Sequence, residues 1–122
     1  MSKKGPVFAT AIVAGVMGSK RTSSIIPFCH QIPLDNCDIK IALVDQAITQ
    51  DSMFIDLNID CTVSTYHKTG VEMEALVGAS ITALCIYDML KAISHNIVIK
   101  DTRLISKKGG KSDYSNNTDN IT

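Results

Sequence analysis

Two hydrophobic rhythms divide the chain into its elements. Residues 7–26 are apolar or small almost without a break until Lys20, with Pro6 at a first-turn position and Pro27 as a stop. Proline presets the helical φ at a start and cannot continue a helix, so this stretch predicts a helix. Its small residues, Ala9, Ala11, Ala14, Gly15, Gly18 and Ser19, permit close packing on a sheet or a neighbouring subunit. Residues 38–44 then alternate, with Ile39, Ile41 and Leu43 on one side and Asp38, Lys40 and Ala42 on the other. Residues 54–63 repeat the pattern, placing Ile55, Leu57, Ile59, Cys61 and Val63 inward and Asp56, Asn58, Asp60 and Thr62 outward. A period of two marks half-buried strands, and the polar stretch 45–52 joins them as a long hairpin.

The helical rhythm returns over residues 70–94. Thr69 and Glu72 match the S/T-x-x-E pattern of a capping box, which gives Glu72 a structural role at the helix start. Residues 75–87 carry no charge. A helix apolar around most of its circumference is buried on more than one side, which in a small protein predicts a subunit interface. Residues 96–106 read as a last strand, and 113–122 as a polar, disordered tail. The predicted order is α-β-β-α-β, in a single domain over residues 1–112.

At 122 residues, 45% hydrophobic and 20% charged, the chain has the balance of one globular domain. Lys+Arg and Asp+Glu are 12 each, there is no Trp, and aromatics total 5%. That excludes a basic nucleic-acid binder with stacking platforms. Charge is nonetheless uneven: six Asp and one Lys lie within residues 35–60, and five Lys or Arg against one Asp within 100–111. Such a basic stretch suits an anionic ligand or subunit docking, although a solvated face is the commoner origin. Cys29, Cys37, Cys61 and Cys85 contain no C-x-x-C pair, so spacing gives no support for zinc, and reduced thiols are expected. The basic start and uncharged residues 5–19 have the outline of a signal peptide, and two N-x-T sequons lie in the tail. Pro6 and the absence of a clean small-residue cleavage site before Lys20-Arg21 argue against secretion.

Reactive side chains cluster at residues 27–30, 67–74 and 87–91. Asp88 and Lys91 are i,i+3 neighbours on one helical face; they form either a plain helix ion pair or a desolvated carboxylate and ammonium tuned for proton transfer. Glu74 and Asp88 are 14 residues apart. At the helical rise this is roughly 21 Å, too far for one small reacting centre in one chain. Adjacent Cys29 and His30 do not make a nucleophile pair, whereas His30 suits phosphate binding or proton shuttling. Gly109-Gly110-Lys111-Ser112 resembles the end of a P-loop, but Ile105 replaces the required first glycine.

Six segments appear in order: Gly5-Pro6-Val7-Phe8-Ala9-Thr10-Ala11, Lys20-Arg21-Thr22, Ile26-Pro27-Phe28-Cys29-His30, Lys68-Thr69-Gly70-Val71-Glu72-Met73-Glu74-Ala75-Leu76, Ile86-Tyr87-Asp88-Met89 with Lys91-Ala92, and Lys108-Gly109-Gly110-Lys111-Ser112. Together they closely resemble the cyclic pyranopterin monophosphate synthase (MoaC) family of molybdenum cofactor biosynthesis. The resemblance implies an α+β, ferredoxin-like fold, present here as αββαβ with the family's first strand missing. It implies a diphosphate-releasing lyase acting on (8S)-3',8-cyclo-7,8-dihydroguanosine 5'-triphosphate, a nucleotide-derived small molecule. The family assembles as a homohexamer, a trimer of dimers with interface active sites. By the same resemblance Asp88 and Lys91 are catalytic. Phe28, Cys29, His30, Met73 and Glu74 bind substrate, joined by Lys4, Lys107, Glu72 and Lys111. No cofactor, metal, nucleic acid or membrane is expected, and the expected compartment is the cytoplasm or an organelle. The missing strand leaves a second expectation open, a catalytically silent relative serving as an assembly subunit.

Overall fold

The computed structural model describes residues 6–44, 55–66 and 70–108, together with the backbone of residues 114–115. Its elements are α1 (Val7–Lys20), α2 (Thr22–Ile25), β1 (Asn36–Val44), β2 (Asp56–Ser64), α3 (Glu72–Leu90), β3 (Ser106–Lys107) and β4 (Tyr114–Ser115). The architecture is α+β: β1 and β2 form an antiparallel hairpin, with α1 against β1 and α3 against β2.

The first helix ends earlier than its hydrophobic run. Thr22 is buried, and its hydroxyl donates to the carbonyl of Ser19 at 2.8 Å, while Arg21 N–H donates to Gly18 O at 3.1 Å. A hydroxyl bonding back to the preceding turn competes with the main-chain ladder, so the run splits at Arg21 into α1 and the one-turn α2. Ile26, just before Pro27, is extended, as the proline ring requires.

Small residues set the distance between α1 and α3. Ala11, Gly15 and Ser19 are buried on α1, facing a buried row of Glu74, Gly78 and Thr82 on α3. A Cβ on Gly15 would lie 2.8 Å from the carbonyl oxygen of Gly78 and 2.6 Å from Ile39 Cδ1, so only glycine permits this approach. Beneath the helices, the register Ile39↔Cys61 and Ile41↔Ile59 places the predicted inward residues opposite one another. Lys40↔Asp60 and Asp38↔Thr62 fall on the outer face. The inward rule fails at the hairpin's far end, where Leu43 and Ile55 are 64% and 73% exposed because neither helix extends over them. The predicted turn, 45–52, lies outside the described residues.

Two further expectations are corrected. Val71, not Thr69, is the N-cap of α3, and no side chain caps it. Glu72 is therefore the first helical residue and cannot occupy the third-position role of a capping box; Thr69 itself lies outside the described residues. The last strand does not form over 96–106. A strand requires a hydrogen-bonded neighbour, and β2 pairs only with β1 among the described residues. Residues 96–105 run without regular structure, and only Ser106–Lys107 pairs, with Tyr114–Ser115. The predicted tail thus contributes one short strand, and its remaining residues are outside the description.

By length and hydropathy α3 could cross a bilayer, but it packs against α1 and β2 as the core helix of the domain.

Candidate active site

A cavity of about 270 Å³ opens where the segment after α2 meets the start of α3. Ile26, Phe28, Cys29, His30 and Ile32 form one wall, and Gly70, Glu72, Met73 and Glu74 the other. Local sequence explains both walls. Pro27 ends α2 and turns the chain outward, and the first turn of α3 presents three consecutive side chains of the Glu72-Met73-Glu74 run.

Glu74 is 3% exposed and is anchored from behind, since the Ser19 hydroxyl donates to its main-chain oxygen at 2.6 Å. Its carboxylate faces the opposite wall, where the Cys29 thiol donates to Oε2 at 3.9 Å, a long sulfur contact. Partial burial, then the negative charges of Glu74 and Glu72, push the Cys29 thiol above its ordinary value of 9.0. That shift disfavours the thiolate, the form that a nucleophile needs, and leaves the thiol as a hydrogen-bond donor to Glu74.

Glu72 lies at the mouth. Its Oε1 is 3.7 Å from Lys107 Nζ, and its Oε2 is buried with no hydrogen-bond partner among the described residues. A Cβ at Gly70 would collide with that oxygen and lie 3.2 Å from Lys107 Cε. Both are ends of flexible side chains, so Gly70 leaves room for carboxylate and ammonium to meet beside the backbone, and a side chain there would push them aside.

Asp88 and Lys91 are elsewhere. They form the expected i,i+3 pair, with Nζ to Oδ1 at 2.8 Å, at the far end of α3. Their side chains are 51% and 58% exposed, so the expected desolvation is not present within one chain. The hydrogen bond that Lys91 donates to Asp88, and then the negative charge of Asp88, raise the Lys91 pKa above 10.5 and keep it protonated. The structure therefore gathers Phe28, Cys29, His30, Glu72, Met73 and Glu74 around one cavity, with Lys107 at its edge. It does not bring Asp88 or Lys91 to them. Lys4 and Lys111 lie outside the described residues. Ile26, Ile32 and Gly70 were not singled out from sequence, although the Lys-Thr-Gly-Val-Glu run contains Gly70. Ser19 carried no local signal, because its partner is distant in the chain. Among the described residues, no group of three or more His, Cys, Asp or Glu side chains is placed to hold a metal ion.

The family model described as "MoaC family" matches residues 1–110. The chain belongs to the MoaC family. It is 59% identical over 112 residues to "Molybdenum cofactor biosynthesis protein 1" of Dictyostelium discoideum, covering 92% of this chain and 16% of that protein. It is 50% identical over 112 residues to "Cyclic pyranopterin monophosphate synthase" of Xanthomonas oryzae pv. oryzae, covering 92% of this chain and 63% of that protein. A synthase of the same name from Staphylococcus haemolyticus is 50% identical over 114 residues, with 93% and 69% covered. The chain thus spans a small part of the Dictyostelium relative and somewhat under two thirds of the Xanthomonas one. The MoaC match extends across both walls of the cavity and the Asp88/Lys91 pair.

Proposed function

We propose that the protein is a cyclic pyranopterin monophosphate synthase. It converts (8S)-3',8-cyclo-7,8-dihydroguanosine 5'-triphosphate to cyclic pyranopterin monophosphate and diphosphate, in molybdenum cofactor biosynthesis in the cytoplasm. The observation that carries this reading is membership of the MoaC family, over a span that includes the whole cavity.

The reaction opens the five-membered ring of a purine, rebuilds it as a pterin and closes a cyclic phosphate. Each step moves protons, and a carboxylate beside an ammonium, Asp88 and Lys91, suits that work. Phe28, Cys29 and His30 on one wall and Met73 and Glu74 on the other hold the substrate. The neutral Cys29 thiol and the Glu74 carboxylate supply a donor and an acceptor for ring heteroatoms. Departure of diphosphate builds negative charge, which Lys4, His30 and Lys107 stabilise, and Lys111 joins them in binding the substrate.

The active unit in this proposal is a homohexamer, a trimer of dimers with the active site at a subunit interface. Two observations support it. Glu74 and Asp88 stand at opposite ends of α3, so a single centre needs Asp88 from another copy. The outer face of α3 also lines a shallow apolar groove of about 240 Å³ with Ile25, and Phe28 at the cavity rim is 98% exposed. Apolar surface of this kind suits a second subunit.

The test is direct. The purified protein is incubated with the cyclic dihydro-GTP intermediate while diphosphate and pyranopterin are measured together, with Asp88→Asn alongside. Both products are expected from the wild type and neither from the variant. A folded oligomer giving no product would overturn the assignment in favour of a silent assembly subunit.

A further inference from the structure

The Glu72–Lys107 contact has the marks of an arrangement that a ligand displaces. The Glu72 side chain is 36% exposed, so the pair is only partly buried. A carboxylate oxygen removed from water nonetheless normally regains a hydrogen bond for what it loses, and such a pair is a stable brace only when its oxygens are satisfied. Here one oxygen is buried without a partner among the described residues. The other is 3.7 Å from Lys107, beyond ordinary N–H···O hydrogen-bond length. Charge, not a hydrogen-bond network, holds the two together. Both groups also flank Gly70, which lines the cavity, and the Lys107 side chain is only 21% exposed. Lys107 therefore sits beside the cavity with its ammonium already occupied by an acid of the same site.

We propose that Glu72 is a positioning residue that holds Lys107 in reserve, releasing it when a diphosphate group enters the cavity. The inference rests on the reading that diphosphate leaves from this cavity. In the empty site Glu72 neutralises Lys107 and keeps it from weakly charged anions. A diphosphate offers several oxygens and more than one negative charge, so it outcompetes a single, poorly satisfied carboxylate. Lys107 then turns to the phosphate oxygens, and Glu72 swings toward solvent from the mouth it occupies. The pair thereby selects for multiply charged phosphates over monoanions.

The experiment is calorimetric titration of the unliganded protein with inorganic diphosphate. It compares wild type, Glu72→Gln, Glu72→Ala, Lys107→Gln and the double variant Glu72→Gln/Lys107→Gln. Glutamine keeps the side-chain shape and removes the competing charge; alanine gives a second removal should glutamine perturb folding. Glu72→Gln is expected to bind diphosphate about two- to fivefold more tightly than wild type, with the gain shrinking as salt is raised. Lys107→Gln is expected to bind more weakly, and adding Glu72→Gln to it should restore nothing. A gain that persists without Lys107 would show that Glu72 acts through its field on the whole cavity and would overturn the latch. Unchanged or weaker binding in both Glu72 variants would overturn it as well, leaving the proposed activity intact. Absence of diphosphate binding in every form would instead remove the underlying reading, and the latch with it.

Discussion

The hydroxyl of Ser19, in the last turn of α1, donates a 2.6 Å hydrogen bond to the carbonyl oxygen of Glu74 across 55 residues of sequence. This contact connects the core to the cavity, because Glu74 is the first buried side chain of α3 and its carboxylate faces Cys29. Ser19→Ala should lower stability by about 1 kcal/mol, the usual net value of one buried hydrogen bond. A urea titration reads it. A loss below about 0.3 kcal/mol would mean that the helix pair positions Glu74 without the hydroxyl.

Gly15 is the tightest point of the helix pair. An added methyl group would meet the Thr82 hydroxyl, Ile39 Cδ1 and the Gly78 carbonyl, one of them main chain that cannot rotate away. Gly15→Ala is expected to cost roughly 3 kcal/mol or more, the upper range for an overpacked core, despite the better helix propensity of alanine. The midpoint of thermal unfolding measures this, and a variant as stable as wild type would show that α1 and α3 can slide apart.

The thiol of Cys61 lies under α3, where a Cβ on Gly78 would be 2.7 Å from its sulfur. Burial, then the neighbouring Cys37, push its pKa from 9.0 up to about 12. Between those two values the unfolded chain has lost the proton that the folded chain keeps. Stability is therefore fully present below pH 9.0 and falls as pH rises toward 12. Cys61→Ala or Cys61→Ser should flatten that alkaline decline in denaturant midpoints measured from pH 8.5 upward. Its raised pKa should also make Cys61 the last of the four thiols to react with iodoacetamide at pH 8.

The Asp88–Lys91 pair separates folding from chemistry. Half-exposed helix pairs contribute little, so Asp88→Asn should leave the urea midpoint of the protein where it is. Under the proposed function the same variant makes no product. A site shared between copies adds a sharper outcome. Mixing inactive Asp88→Asn with inactive His30→Ala, after dissociation and reassembly, should restore part of the activity. Mixtures that stay silent would place each complete site within one subunit.

Where chemistry is local, the chain announces its structure. The alternation over residues 38–44 and 54–63 predicted the hairpin that β1 and β2 form, and Pro27 marked the loop that forms one cavity wall. The i,i+3 spacing of Asp88 and Lys91 likewise foretold their contact. The failures share a physical cause, dependence on partners distant in sequence. Alternation at 96–106 expresses willingness to pair, but pairing is a tertiary event that the local pattern does not record, and β2 pairs only with β1 among the described residues. The Thr69/Glu72 pattern fitted a capping box, yet Lys107 drew Glu72 to a different role. Splitting of the first helix depended on whether the Thr22 hydroxyl turned inward, which a hydrophobic profile does not register. Likewise, uncharged residues before Asp88 suggested desolvation, but the end of α3 reaches beyond the elements that bury its middle.

The side of β2 facing away from β1 has no strand partner among the described residues. Its main-chain N–H and C=O groups form a row with the spacing of a sheet, a template that accepts any extended peptide of suitable register. Val98 and Ile99, in a segment joined to the start of β2 by the 3.5 Å Lys100–Asp56 ion pair, place apolar side chains in the same neighbourhood. At high concentration the isolated chain has a route to lateral stacking that its balanced net charge does little to resist. Lysine or proline introduced along the outer side of β2 is the substitution that would close that route.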